Sequence, residues 1–358
     1  MKVLQLIDSL EAGGAERMAI SIANSLVGVV TQSYLCTTRA EGLLKDHISN
    51  AVSYLYLEKQ STFDIVAIKR LDTFVKTEEI TIIHAHSSSY FLATLIKILN
   101  KKVRIVWHDH YGNRAASAYF KIEVLKYCSK YFSHIICVNK NLVGWSQKKL
   151  KCKQVSYLPN FVKEAKQLNK TKLFGVNGKR IVCLANLRPD KDILNAIDAF
   201  TIVLQSNPDW TLHLVGKTFN DDYSQLIRDR ILTLNLSEQV FLYGSVPDSL
   251  HVLQQSSIGI LSSKSEGLPV ALLEYGLAGL PVVVTDVGDC ASVILDGALG
   301  MLVPSKNKKS LANAILFYIN NPKMSTSIAS KFNKHILENF SATNTVDELL
   351  LIYNLSLK

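Results

Sequence analysis

A chain of 358 residues, 48% hydrophobic and 20% charged with 8 prolines and 17 glycines, has room for two ordinary globular domains and lacks the composition of a disordered, collagenous or low-complexity protein. No apolar run reaches the roughly 18 to 20 residues of a membrane-spanning helix, and the N-terminal apolar stretch is too short for a signal peptide, so a cytoplasmic protein is expected. The net charge of +10 is uneven: residues 1–165 carry 22 Lys+Arg against 13 Asp+Glu and residues 166–358 carry 18 against 17, so the basic half fits nucleic acid, an anionic membrane surface or an anionic substrate.

In chain order, the β-branched runs Val3–Ile7, Ser33–Thr37, Val52–Leu55, Ile80–Ala85, Val103–His108, His134–Val138 and Val155–Leu158 predict strands. Ala15–Leu26, Tyr90–Leu99 and Ala116–Phe132 predict helices between them. Continuous apolar strands alternating with helices specify a parallel sheet covered on both faces, a doubly wound architecture. From Lys163 to Arg180 the chain is polar and lysine-rich, which reads as a linker.

The alternation then restarts. Ile181–Ala185, Thr211–Val215, Val240–Leu242, Ile258–Leu261, Pro281–Thr285 and Gly300–Val303 predict strands; Asp192–Leu204, Tyr223–Leu234, Ser249–Gln255 and Pro269–Ala278 predict helices. Three helices are expected to end the chain, Ser310–Asn320, Met324–Glu338 and Ala342–Leu355. The expected fold class is therefore α/β, with two doubly wound, Rossmann-like domains over residues 1–165 and 166–340. Their carboxyl edges should face a cleft, and a final helix, 341–358, can return to the N-terminal domain.

The densest chemical constellation is Glu266-Gly267-Leu268-Pro269, followed by Glu274 and then by Gly279-Leu280-Pro281-Val282-Val283. Pro269 suits a first helical turn, because its missing N–H costs nothing there. Backbone N–H groups at Gly267, Leu268 and Val270 would then point from a helix N-terminus at phosphate or sugar oxygens. Two carboxylates eight residues apart can accept hydrogen bonds from paired hydroxyls of a sugar or a ribose. The alternative reading is a dipole-capping Glu266, a solvated Glu274 and a plain turn.

Six cysteines without a C-x-x-C pair suggest reduced, buried thiols, with neither a disulfide framework nor a zinc site. His84-Ala85-His86 and His108-Asp109-His110 put pairs of histidines on one strand face, an arrangement that raises the question of a metal. No H-E-x-x-H spacing accompanies them, and no metal is expected.

The E-G-L-P-x4-E block with its following G-x-P-V-V resembles glycosyltransferase family 4, nucleotide-sugar enzymes of GT-B fold. The likeness extends over essentially the whole chain. Gly13-Gly14-Ala15-Glu16-Arg17 resembles the family's N-terminal G-G-A-E-R element, where paired glycines let the backbone approach a diphosphate. Asn186-Leu187-Arg188-Pro189-Asp190-Lys191 resembles the family's G-R-L-x-P-x-K turn, with Asn186 where the family has arginine and Arg188 displaced by two positions. A family glutamate likewise falls near Ser292.

The resemblance implies a retaining transferase that moves a sugar from a nucleotide sugar, with UDP as the expected nucleotide, to a hydroxyl of a glycan or lipid-linked glycan in cell-surface polysaccharide synthesis. It implies no cofactor. Lys191 and Arg188 would hold the diphosphate, Glu274 the ribose, and Glu266 with the Gly267, Leu268 and Pro269 backbone the donor sugar. Gly13, Gly14 and His110, with His108 as its rival, would complete the site, and His110, Glu266 and Lys191 are the expected catalytic residues. For His110 the alternative is a polar loop histidine bonded to a carbonyl.

The lysines and aromatics of Tyr119–Phe132, with Lys140, Lys148, Lys149, Lys151 and Lys153, fit either an interfacial helix on anionic lipid or a solvated basic face. No nucleic-acid motif accompanies the charge, and no nucleic-acid partner is expected. Two other functions share this fold: a nucleotide-sugar 2-epimerase, and a non-catalytic partner of a transferase, the latter supported by Asn186 and Ser292.

Overall fold

The computed structural model describes every residue except 112, 113, 115–118 and 164–168, and only the backbone of Tyr119 and Phe120. Gly112 beside His110, the first residues of the expected helix Ala116–Phe132 and part of the expected linker fall outside the described residues. The chain divides into two units, Met1–Lys163 with Ala342–Lys358, and Glu164–Ser341.

The first unit runs β1 (Lys2–Ser9), α1 (Gly14–Ser25), β2 (Gln32–Ala40), β3 (Ser53–Tyr56), α2 (Ile65–Thr77), β4 (Ile82–His86), α3 (Tyr90–Leu99), β5 (Arg104–Asp109), α4 (Tyr119–Cys128), β6 (His134–Cys137), α5 (Lys140–Lys149) and β7 (Val155–Tyr157). Its seven strands are all parallel in the order β3-β2-β1-β4-β5-β6-β7. Val3, Leu4 and Leu6 of β1 are wholly buried, as a strand covered on both faces requires, and so is the polar Gln5 between them.

Helix α2 has no expected counterpart in the sequence. Asp64 caps it by accepting from the Ala67 N–H at 3.0 Å, and Ala67, Leu71 and Val75 form its buried stripe. Exposed Ile65 and Val66 on its other side obscure that period.

The second unit runs β8 (Arg180–Leu184), α6 (Ile193–Leu204), β9 (Thr211–Val215), α7 (Asp222–Thr233), β10 (Val240–Gly244), α8 (Ser249–Gln254), β11 (Ile258–Leu261), α9 (Val270–Leu277), β12 (Val282–Thr285), α10 (Cys290–Val293), β13 (Met301–Val303), α11 (Lys308–Asn320) and α12 (Pro322–Asn339). Six parallel strands lie in the order β10-β9-β8-β11-β12-β13. The closing helix α13 (Ala342–Leu357) belongs to the first unit, where its Tyr353 is wholly buried.

Two local expectations change. Pro269 is the residue before α9, with extended φ −71° and ψ 118°, and its carbonyl accepts from Leu272 N–H at 3.1 Å. The segment read as a linker is tied down where it is described. Asp248 takes the amides of Lys170 and Thr171, each at 2.7 Å, and Gln255 Oε1 takes that of Leu173 at 3.1 Å. Side chains far along the sequence supply those bonds, so composition alone does not reveal them. All six cysteines are buried free thiols. Among the described residues no helix is long and apolar enough to cross a membrane.

Candidate active site

In the second sheet the chain runs outward from β8 through β9 to β10 and then crosses back to β11 on the other side of β8, and a doubly wound sheet binds ligands at that switch, beyond the strands' carboxyl ends. Strands β8 and β11 pair only through Ile181–Ile258 and Val182–Gly259. Beyond that the Tyr275 hydroxyl spans the gap, accepting from Leu184 N–H at 2.7 Å and donating to Ile260 O at 3.0 Å. Lys191 follows β8 and Glu266 follows β11, so the two expected site residues arrive at the same edge.

They meet there. Lys191 Nζ donates to Glu266 Oε2 at 2.7 Å, and Ser263 Oγ donates to Glu266 Oε1 at 2.6 Å. Glu266 is 7% exposed. Burial alone would lower the Lys191 pKa, but the Glu266 carboxylate outweighs it and holds Lys191 above its ordinary value. The turn carrying Lys191 is fixed by the strand opposite: Lys264 N–H donates to Asp190 O at 2.7 Å, and Ser262 Oγ donates to Lys191 O at 2.9 Å. Asp192, which ends the turn in the left-handed region at φ 48°, is held by Lys264 Nζ at 3.0 Å.

The other expected residues of this unit have partners of their own. Arg188 is exposed, its guanidinium 4.8 Å from the Phe219 ring centroid, with Lys217 Nζ 5.7 Å from the same ring. Asn186, in the family's arginine position, accepts from Lys217 N–H at 2.8 Å and ties the ends of β8 and β9 together. Gly216 permits that approach, since a Cβ there would run into the Ala185 carbonyl. Ser292 donates from Oγ to Asp289 O at 2.8 Å. Half-buried Glu274 lies on α9, with Ser249 Oγ 3.5 Å from its Oε1. The Leu268 side chain is in the core, which leaves only its backbone for a ligand.

Two further residues shape this edge. The Gly267 carbonyl accepts from Asp289 N–H at 2.9 Å. Gly288, at φ +58°, lies so close to Glu266 and Gly267 that a Cβ would run into their carbonyl oxygens.

In the first unit the switch lies between β1 and β4. Gly13 precedes α1 in extended conformation and Gly14 is its first residue, so the helix N-terminus opens at that edge. Asp8 nearby accepts from Thr38 Oγ1 at 2.6 Å and Ser88 Oγ at 2.5 Å. His110 follows β5 and its Nε2 lies 2.9 Å from His86 Nδ1; desolvation, aided by the Arg114 charge, drives its pKa down to about 3. Desolvation likewise takes His84 to about 3 and puts His86 and His108 well below the ordinary value. The structure thus joins all four histidines, with His108 and His110 stacked at 4.0 Å.

Ring nitrogens of His84, His86 and His108 lie within 4.8 Å of one another. His84 and His86 stack with ring centroids 4.5 Å apart, and His108 lies at 13° and 32° to them. His84 Nε2 and His108 Nδ1, however, face each other at 3.2 Å as hydrogen-bond partners, so two of the three candidate nitrogens are engaged with one another.

Residues 12–166 match the family model described as Glycosyltransferase Family 4, and residues 165–335 match Glycosyl transferases group 1. An uncharacterized glycosyltransferase of Haemophilus influenzae is 24% identical over 351 residues, 94% of this chain and 95% of that one. The Escherichia coli UDP-Gal:alpha-D-GlcNAc-diphosphoundecaprenol alpha-1,3-galactosyltransferase is 25% identical over 311 residues, 81% of this chain and 79% of its own. The structure of Anabaena HepE in complex with UDP and glucose superimposes with TM-score 0.83 over 99% of both chains at 20% identity. With both units matched in order and the GT-B fold in common, the chain belongs to glycosyltransferase family 4.

Proposed function

We propose that this glycosyltransferase moves a sugar from a UDP-sugar to a hydroxyl of a polysaccharide or lipid-linked glycan precursor, with retention of anomeric configuration. The observation that carries the reading is the Lys191–Glu266 pair at 2.7 Å at the β8/β11 switch. A diphosphate arriving there competes with Glu266 for the Lys191 ammonium, and a cation that meets the leaving diphosphate stabilises the charge developing on it. Glu266, released from Lys191, accepts hydrogen bonds from sugar hydroxyls, and Glu274 does the same for the ribose. Arg188 adds a second cation for the phosphates. The same reading assigns the bare backbone of Gly13 and Gly14 to the nucleotide sugar and His110 to the sugar being transferred.

Retention fits a front-face attack in which the leaving phosphate oxygen takes the acceptor proton, so that no side-chain nucleophile is needed. The names of two similar proteins support the donor and acceptor classes: HepE is described with UDP and glucose, and the E. coli relative with a UDP-sugar and a diphosphoundecaprenol acceptor. Cytoplasmic location and peripheral attachment to an anionic membrane surface belong to the same reading. The support for the membrane surface is the basic N-terminal half and exposed Tyr127 beneath Lys130 Nζ, 3.8 Å from its ring.

The deciding experiment is a thermal-shift screen of nucleotide sugars, followed by transfer to a lipid-linked glycan and determination of the product anomer. A UDP-sugar that stabilises the protein, and an α-linked product from an α-donor, are expected. An inverted product would overturn retention, and stabilisation by GDP-sugars alone would overturn the donor. Retained transfer in both Glu266→Ala and Lys191→Ala would overturn the site.

A further inference from the structure

The proton positions of the four-histidine group follow from one side chain. Gln5 Oε1 lies 2.9 Å from His86 Nε2, and Gln5 Nε2 lies 3.3 Å from the Tyr353 hydroxyl. Two arms run outward from there. In one, His86 Nδ1 meets His110 Nε2 at 2.9 Å. In the other, the Tyr353 hydroxyl meets His84 Nδ1 at 2.7 Å, and His84 Nε2 meets His108 Nδ1 at 3.2 Å. The two nitrogens at the ends, His108 Nε2 and His110 Nδ1, are buried and have no hydrogen-bond partner among the described residues.

A neutral imidazole has one N–H and one lone pair, so each bond fixes the next. With the Gln5 carbonyl toward His86, His86 donates from Nε2 and accepts at Nδ1; His110 then donates from Nε2 and keeps a lone pair at Nδ1. The Gln5 amino group donates to Tyr353, whose single hydrogen goes to His84 Nδ1. His84 donates from Nε2 to His108 Nδ1, which leaves an N–H at His108 Nε2. Turning the amide over reverses every bond. All four histidines change from Nε2–H to Nδ1–H together, and the two ends exchange roles.

In either orientation the ends are therefore one donor and one acceptor. Both inner nitrogens of the His108–His110 pair face β4, so the outer two belong to rings whose centroids are 4.0 Å apart and point away from that strand. A hydroxyl, which donates one hydrogen and accepts at oxygen, matches both orientations; a carboxylate or phosphate oxygen matches neither.

We propose that Gln5 and Tyr353 are positioning residues that lock the four histidines into one shared tautomer, so that His108 and His110 always offer one donor and one acceptor to a sugar hydroxyl. This rests on the reading of His110 as facing the transferred sugar, but it is tested without nucleotide.

The full-length protein labelled with 15N-histidine would be examined at neutral pH by long-range 1H–15N correlation, which separates Nδ1–H from Nε2–H tautomers. His84, His86, His108 and His110 are expected in a single common tautomer. Tyr353→Phe keeps the ring and removes the hydroxyl; it should turn His84 and His108 into tautomer mixtures while His86 and His110 keep theirs. Gln5→Leu should release both arms. Different tautomers for His84 and His86 in the unmodified protein, or four unchanged tautomers in Tyr353→Phe, would overturn the inference. If neither variant folds, the spectrum of the unmodified protein decides alone. A protein with the common tautomer that binds no nucleotide sugar would count against the transfer reading and leave the locked relay standing.

Discussion

Lys191 and Glu266 share a 2.7 Å ion pair although 75 residues separate them, because their loops leave adjacent strands of one sheet at its carboxyl edge. The pair sits behind Ser263, which occupies the second carboxylate oxygen. Two groups expected to bind parts of one donor thus neutralise each other in its absence, which avoids leaving a buried carboxylate uncompensated.

Removing the lysine should therefore cost stability as well as activity. Lys191→Ala leaves Glu266 buried with only Ser263 to compensate it, for a loss of about 3 kcal/mol. Urea unfolding checks this, and Lys191→Met combined with Glu266→Gln should be more stable than Lys191→Ala alone. The sign of the alkaline limb follows from the raised lysine pKa: the pair's contribution is present at neutral pH, below the ordinary lysine value of 10.5, and is lost as pH rises through the folded value. Transfer by Lys191→Ala should fall by a factor on the order of 100 or more.

Gly288→Ala tests the loop that presses on Glu266. The φ of +58° and the neighbouring carbonyl oxygens both oppose a side chain there, so a loss of at least about 2 kcal/mol is expected. Affinity for UDP should fall with it, because the displaced backbone is that of Glu266 and Gly267. Isothermal titration with UDP reads the second effect; unchanged affinity would separate this loop from the nucleotide.

Much of this was legible beforehand where the information is local. Tyr90–Leu99, Thr211–Val215 and Ile258–Leu261 carry their element type in apolar periodicity, and the Glu266-Gly267-Leu268-Pro269 block marks its strand end. Pairings between distant residues were not legible. Nothing near Gln5 signals Tyr353, 348 residues away, and a polar residue inside an apolar strand was the one available hint. Lys217 was missed as a cation beside Arg188 because the two meet only through the Phe219 ring. Asn186 read as a missing charge, and the structure shows it serving as an anchor for the Lys217 amide.

Arg188 should behave as a binding residue with little structural weight. Its exposure and single ring contact predict that Arg188→Ala changes stability by no more than about 0.5 kcal/mol. Its loss should weaken UDP binding about tenfold, equivalent to about 1.4 kcal/mol. Thermal unfolding and UDP titration on the same preparation check both halves, and an unaltered Kd would remove Arg188 from the phosphate site.

Acid should unfold the first unit through its histidines. Burial takes His84 and His110 down to about 3 and His86 and His108 well below the ordinary 6.5. Below 6.5 the unfolded chain takes up protons that the folded chain refuses, so stability falls as pH drops and keeps falling until the folded values are reached. One pH unit below 6.5 the loss relative to alkaline pH reaches about 1.4 kcal/mol per histidine, about 6 kcal/mol for the four. That is comparable with the whole stability of an ordinary domain, about 5–15 kcal/mol. Urea unfolding of the full chain followed by circular dichroism should therefore show a steep loss between neutral pH and about pH 5. His84→Asn should make the slope shallower, since it removes one of the rings whose pKa burial lowers, a set that also includes His134 and His213. A stability that stays flat across this range would mean that the rings are charged or hydrated in the folded protein, and it would remove the basis for a neutral relay.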